Sequence, residues 1–232
     1  MKGETMTGFE GFPKELPKFL SRLEKNNTVA WFSAHKEDYE AFVKHPSEEF
    51  VSAMGEKLRI FCPGINAIPK VNKSLFRINR DIRFSTDKSP YKTNLGILFW
   101  EGPGKRMESS GFYFHLEGDM MMLGCGLYIF PKPIMLKFRE TLMDKKKGKE
   151  LQKIIEPLIS DGYGTGTKYY KKTPKEFSPS SEFEKEYLLY SGLSTYMEFP
   201  IPDILFSPEI IEFTRGHFEK MNPLQKWIVK YL

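Results

Sequence analysis

The sequence has little of what marks a secreted or a membrane protein. Its only cysteines, Cys62 and Cys125, are isolated among apolar neighbours, which favours reduced thiols in a core over a disulfide framework. The longest apolar run, from Met120 to Phe130, is interrupted by glycine and is shorter than the roughly 20 residues of a membrane helix. Residues 1–16 lack the basic and apolar regions of a secretory signal. We therefore expect a soluble, cytoplasmic protein with no membrane partner.

Motifs of metal sites and of common nucleophilic enzymes are also missing. The histidines are scattered and form no HExxH pattern, so the sequence predicts no metal site and no cofactor. There is no GxSxG motif, and neither cysteine has the context of a nucleophile. The glycines at 162, 164 and 166 lack the GK[ST] ending of a phosphate loop, which favours a turn. Catalytic residues, and whether the protein is an enzyme at all, stay open.

Aromatic residues are abundant and indicate a large core. The 232 residues are 40% hydrophobic and include 20 Phe and 11 Tyr. Disorder requires low hydrophobicity together with high net charge, and this sequence has neither. We predict a single α+β domain over residues 1–232, helical at 13–60, sheet-rich at 71–130, and with helices and irregular segments at 131–232.

Three helices are predicted before any strand. The first has an apolar stripe of Leu16, Phe19, Leu20 and Leu23 and ends at Asn26-Asn27. A second stripe runs from Trp31 to Val43 and ends before Pro46. Ser47, followed by two glutamates, is interpreted as the N-cap of the third helix.

The periodicity then changes from helical to alternating. Residues 75–84 alternate between apolar and charged side chains, which predicts a strand. Further strands are predicted at 95–100, 111–117 and 121–130, and the short turns between them favour an antiparallel meander.

The last hundred residues are predicted to be mainly helical and irregular. One helix is predicted to follow Pro131, a second to contain Leu151, and a short third helix to span 181–189. Two terminal helices are expected to begin at Ser207-Pro208 and at Asn222-Pro223.

The excess positive charge lies in one short segment. The net charge is +5, and residues 70–92 contain seven basic residues and two acidic ones, whereas the rest of the chain has 28 of each sign. An anionic partner is therefore expected to bind this segment.

Arginines within the predicted strand are the first candidates for an anion site. Arg77, Asp81 and Arg83 would share one face, where guanidinium groups can bind a phosphate or a carboxylate through two parallel hydrogen bonds. The following turn would bring Lys88 and Lys92 near the same end. The alternative is a structural network in which Asp81 and Asp87 hold the arginines in ion pairs.

Arg80 interrupts the alternation and would point to the apolar face. It is also a candidate anion ligand, and a β-bulge could turn it outward. Otherwise we expect it to be buried against an Asp or Glu from the helices, since an unpaired buried charge is costly.

Two tyrosines and a histidine are candidates beside the basic cluster. Tyr91 or Tyr113 could orient a ligand. Tyr113 and His115 share a strand face and could take part in proton transfer, or they could simply form a polar strand face.

The sequence resembles a family of conserved hypothetical proteins. The resemblance is carried by RDIRFSTDKSPYKTN, by LEKNNTVAWF before it, and by GFYFHLE, GCGLY, KKTPKEFSP and NPLQKWI after it. This family is catalogued as domain of unknown function 2461, and the resemblance covers nearly the whole chain. The resemblance also includes Arg139, in the helix after Pro131, which is therefore a supporting candidate. It implies a shared fold and no established activity.

Three functions remain open at this point. The first is binding, with or without turnover, of a phosphorylated or carboxylated small molecule at the basic cluster. The second is a nucleic-acid-binding module in which the basic segment follows phosphates and aromatic rings stack on bases. The third is a structural or interaction protein whose Arg/Asp cluster is an ion-pair scaffold. The oligomeric state is open.

Overall fold

A computed structural model describes residues 8–166 and 168–232 as an α+β fold. One antiparallel sheet has six strands in the order β1-β2-β3-β4-β6-β5. The strands are β1 (Ile65–Asn66), β2 (Asn94–Glu101), β3 (Gly111–Glu117), β4 (Met120–Leu127), β5 (Gly164–Thr165) and β6 (Leu193–Pro200). The predicted fold class is confirmed, with β2, β3 and β4 as the meander.

Helices precede and follow the strands. Those before β1 are α1 (Glu15–Lys25), α2 (Val29–Ala34), α3 (Lys36–Tyr39), a π-helical turn (Glu40–Lys44) and α4 (His45–Arg59). Those after β4 are α5 (Lys132–Met143), α6 (Lys145–Ser160), α7 (Glu182–Tyr187) and α8 (Ile210–Tyr231). Short 3-10 helices occupy Arg106–Glu108 and Asp203–Phe206.

The first helix forms as its apolar stripe predicts, but the third begins differently. All four apolar residues of the α1 stripe are buried, and Asn26 is the C-cap. Ser47 is not an N-cap: it lies inside α4, and its Oγ donates a hydrogen bond to Val43 O at 2.6 Å. Pro46 sits in the first turn of α4, where its missing N–H costs no helical bond. The π-helical turn therefore leads directly into α4.

The predicted strand at 75–84 is wrong. Only isolated bridges occur there, from Leu75 to Val71 and to Ile97 and from Asn79 to Tyr91. The segment follows residues 91–97 loosely, with Phe76 N donating to Gly96 O at 3.1 Å and Lys92 N donating to Ile78 O at 2.7 Å. Alternation therefore reflects partial pairing without a continuous ladder. Phe84, the last apolar residue of that segment, is 95% exposed.

Two further errors concern the C-terminal third. Strand β6 falls in a stretch predicted to be irregular apart from a short helix. The sequence does not reveal this strand because Thr195, a polar residue, occupies a fully buried position on its apolar side. The two predicted terminal helices are one helix, α8, which passes through Pro223. Buried neighbours on both sides of the proline, Met221 and Leu224, favour continuation, so packing outweighs the lost backbone bond.

The described chain divides into two compact units, each built from separated segments. The first unit contains residues 8–99, 113–122 and 198–216, and its core is aromatic: Phe12 contacts Phe50 at 5.1 Å and Phe114 at 5.6 Å between ring centroids. The second unit contains residues 100–112, 123–197 without residue 167, and 217–232. Its core includes Phe138, Leu151 and Trp227. The single-domain boundaries stay a prediction.

No helix within the described residues is long and apolar enough to span a membrane. Both cysteines are buried.

Candidate ligand-binding cleft

One cleft in the first unit brings together four of the side chains that the sequence singles out. It has a volume of about 370 Å³. The four side chains are Arg80, Asp87, Tyr91 and Lys92, and the other lining residues are Glu24, Asn27, Ser89, Thr93, Asn94 and Glu117. The cleft is thus formed by the end of α1, the ends of β2 and β3, and a segment that we call the cleft loop, residues 80–93.

Asn27 fixes the cleft loop to the helices. Its Nδ2 donates to Tyr91 O at 2.9 Å, and its Oδ1 accepts from Tyr91 N at 3.0 Å. The Tyr91 ring is buried and stacks on Phe32, with 4.2 Å between the ring centroids. A side-chain amide that pairs with both backbone groups of one residue acts like a short strand, and it determines where the loop meets the cleft.

Arg80 is half-buried and holds the cleft loop together from inside. Its Nη1 donates to Asp87 Oδ2 and to Ser89 O at 3.2 Å, and its Nη2 lies 3.4 Å from Ser85 Oγ. The expected acidic partner therefore exists, but it comes from the same loop and not from a helix. The reason is local geometry, because a turn between residues 80 and 87 returns the carboxylate to the guanidinium.

The carboxyl group of Asp87 is strongly stabilised in its charged form. Hydrogen bonds from the Ser89 hydroxyl and the Ser89 backbone N–H, followed by the bond from Arg80, lower its pKa from 3.8 to about 2. The Ser89 Oγ and N lie 2.7 and 2.9 Å from Asp87 Oδ1. Asp87 therefore remains ionised over the whole physiological range.

The other predicted anion ligands do not line this cleft. Arg83 donates from Nε and Nη2 to the two carboxylate oxygens of Asp81, at 2.9 and 2.7 Å, and this pair lowers the pKa of Asp81 to about 2. Lys88 Nζ donates to Ile82 O at 3.0 Å. Arg77 is exposed outside the cleft. Whether these three bases bind an anion stays a prediction, as does the role of Asp81.

A row of hydrogen-bonding side chains on β3 ends at the cleft. Tyr113 Oη lies 3.0 Å from His115 Nδ1, and His115 Nε2 lies 3.4 Å from Glu117 Oε2. A carboxylate only accepts, so the contact with Glu117 requires a proton on Nε2, which leaves Nδ1 of the neutral ring to accept from Tyr113. Glu117 lines the cleft and connects it to the other two groups.

Gly96 on β2 makes room for the hydroxyl at the far end of this row. A Cβ at position 96 would lie 2.6 Å from Tyr113 Oη, closer than atoms pack. A glycine at this position therefore permits the bond between Tyr113 and His115.

The cleft carries both signs of charge. Arg80 and Lys92 line it together with Glu24, Asp87 and Glu117, and Lys92 Nζ also lies 5.3 Å from the centre of the Phe76 ring. A second depression of about 430 Å³ has Glu10 and Glu49 but no basic residue among its described lining residues. Between the two, only the cleft offers cations to an anionic group.

Arg139 belongs to the second unit and is not part of the cleft. It lies on α5, where its guanidinium carbon is 4.9 Å from the centre of the Tyr170 ring. Across the described residues, no group of three or more His, Cys, Asp or Glu side chains could hold a metal ion.

Sequence reasoning missed Glu24, Asn27 and Glu117 as cleft residues. Asn27 was visible only as a helix end, and its partner Tyr91 lies 64 positions away, so no local pattern relates the two. Glu117 continues the alternation of Tyr113 and His115 on β3, which is the one signal that could have identified it.

The fold and the cleft define an α+β protein with a small, mixed-charge cleft and no metal-ligand cluster in its described part. The model of a family described as Conserved hypothetical protein (DUF2461) matches residues 15–227. The chain therefore belongs to this family, as its sequence resemblance predicts. No curated protein and no solved structure matches it.

Proposed function

We propose that the cleft binds a small molecule bearing a phosphate or carboxylate group together with hydrogen-bond donors. The observation that carries this proposal is that Lys92 and Arg80 line one cleft together with Glu24 and Glu117. The cations attract the anionic group, and the two glutamates accept from hydroxyl or ammonium groups of the same ligand. Arg80 is engaged by Asp87, Ser89 and Ser85, so it mainly positions the loop and adds positive potential.

Thermal unfolding tests this proposal. Inorganic phosphate, glycerol phosphate and phosphoethanolamine are each compared with chloride at equal ionic strength. A ligand at about 100 times its Kd stabilises the folded state by about 2.7 kcal/mol. For a chain of this size that corresponds to about 5–10 °C in Tm. Phosphoethanolamine should act at a lower concentration than glycerol phosphate, because its ammonium group can pair with a glutamate.

A matched pair of variants assigns the effect to the cleft. Lys92→Met removes a cleft cation and keeps a side chain of similar length, and it should abolish the shift. Arg83→Met removes a cation from the same basic segment outside the cleft, and it should leave the shift intact. An unchanged shift in Lys92→Met would refute the proposal. Absence of any shift beyond chloride would leave the ion-pair scaffold as the role of the cluster.

The row of Tyr113, His115 and Glu117 favours turnover as an extension of binding. Glu117 lines the cleft and accepts from His115 Nε2, and the His115 ring in turn accepts from Tyr113. A Glu117 carboxylate oriented by this row can accept a proton from a hydroxyl group of the ligand. A ligand found by thermal shift is followed by 31P NMR with the wild type and with His115→Gln. Turnover lost in the variant, with binding retained, supports catalysis. Equal rates would exclude this role for His115.

Nucleic-acid binding is the second candidate, and exposed Phe84 is the observation that favours it. The Arg83 guanidinium carbon lies 5.7 Å from the centre of the Phe84 ring, so a cation and a free aromatic face occur together. Phe84→Ala and Arg83→Met should then weaken binding of a short single-stranded RNA, with a steep dependence on salt. Lys92→Met distinguishes the two functions, because it affects the small ligand more than the RNA.

A further inference from the structure

Arg139 is a half-buried residue whose side chain has no hydrogen-bond or ion-pair partner among the described residues. Its Nε is buried without a hydrogen bond. Within the described part of the chain, this side chain forms no ion pair with a carboxylate, and its guanidinium lies over the Tyr170 ring. A buried donor without a partner is costly, so such a group in a folded protein calls for an explanation. Because Nε itself is closed to solvent, a ligand would bind through the two terminal guanidinium nitrogens.

The surroundings of Arg139 hold it in a fixed position. Its neighbours on α5, Phe138 and Leu142, are fully buried in the second unit's core. The Tyr170 ring comes from a segment whose backbone is also held, since Tyr169 N and Tyr170 N both donate to Leu189 O at 2.9 Å. A planar guanidinium against an aromatic ring keeps its outer edge oriented for two parallel hydrogen bonds to an oxyanion.

The segment after Tyr170 adds cations and an aromatic surface. Lys171 and Lys172 are exposed and directly follow Tyr170, while Lys168 is paired with Glu186 at 3.7 Å. Tyr169 is 73% exposed and meets Tyr170 edge to face, with 5.1 Å between ring centroids. An exposed ring can stack on the base of a nucleotide, and a guanidinium close to it can donate hydrogen bonds to the phosphate of the same nucleotide.

We propose that Arg139 and Tyr169 form a binding site for a nucleoside monophosphate, with the phosphate on Arg139 and the base on Tyr169. The site lies within the second unit and does not depend on the function proposed for the cleft. Lys171 and Lys172 provide positive potential around the phosphate.

Calorimetric titration of the full chain with AMP tests this site, with adenosine and inorganic phosphate as the two partial ligands. AMP should bind more tightly than either. Arg139→Met should weaken AMP binding by about 10- to 100-fold, since it removes charge-assisted hydrogen bonds. Tyr169→Leu should weaken AMP and leave inorganic phosphate unchanged. Lys149→Met, which removes an exposed cation from the same unit, is the matched control and should change neither.

Two further measurements keep the result interpretable. Arg139→Lys preserves the charge and most of the packing and loses the fork, so it should reduce AMP affinity even if Arg139→Met folds poorly. Arg80→Met, in the cleft, should leave AMP binding unchanged. Equal AMP affinity of the wild type and both Arg139 variants would overturn the proposal, as would no AMP binding beyond that of adenosine.

Discussion

Replacing Asn27 with alanine is expected to lower the free energy of unfolding by about 1–3 kcal/mol. The change deletes both hydrogen bonds to Tyr91, and the backbone N–H and C=O of a residue that is only 7% exposed lose their side-chain partner. One unsatisfied buried group already costs about 1–3 kcal/mol, and partial access of water to this site keeps the sum of two within that range.

Asn26 provides a matched control at the adjacent position. Its Nδ2 donates to Arg22 O at 2.9 Å at the exposed end of α1, where water replaces the lost bond. Asn26→Ala should therefore change stability by less than about 0.5 kcal/mol.

Urea unfolding of the two variants and the wild type measures this difference. Hydrogen exchange of the Tyr91 amide provides a local readout, because loss of the Asn27 acceptor should accelerate exchange there before global unfolding. Equal stability of Asn27→Ala and Asn26→Ala, together with unchanged exchange at Tyr91, would refute the assignment of Asn27 as the residue that fixes the cleft loop.

Two other predictions concern groups in and beside the cleft. The folded-state pKa of Asp87 is lower than its unfolded value of 3.8. The stability that the charged carboxyl contributes is therefore present above pH 3.8 and is lost as the pH falls through about 2. Carbon NMR should show the Asp87 carboxyl titrating near pH 2. Ser89→Ala should raise that pKa, whereas Ser85→Ala, which removes a partner of Arg80 only, should not raise it as much. Gly96→Ala should destabilise by about 1–3 kcal/mol through the clash with Tyr113 Oη, and Tyr113→Phe in the same chain should recover most of the loss in thermal unfolding. If the double variant is no more stable than Gly96→Ala, the loss of stability does not come from a clash with Tyr113 Oη.

The sequence pattern predicts a helix or strand correctly where the periodic apolar residues are the ones that the fold buries. The α1 stripe and the bounds of β3 are examples, because each has one face in the core and one outside. The same reasoning fails at 75–84, where alternating residues make only isolated bridges, and at Pro223, where burial on both sides maintains α8. In both places tertiary contacts outweigh the local signal.

Part of the cleft lining lies within the basic segment that the sequence singles out. Arg80, Asp87, Tyr91 and Lys92 lie in one charged segment, so composition alone could identify them. Their partners from α1 and β3 are brought in by the fold, and one chain gives no means of detecting pairings across such distances. The assignment of Asp87, and not a helical acid, as the partner of Arg80 also required the turn geometry.

The interleaving of the two units has a consequence for synthesis on the ribosome. In the first unit Phe12 N donates to Leu205 O at 3.0 Å. This hydrogen bond cannot form until Leu205, almost two hundred positions later in the chain, has been synthesised. In the second unit the core joins Leu127 to Trp227 and Ile228. Neither unit can close before these late residues leave the exit tunnel, and the phenylalanine-rich early segments remain uncovered until then.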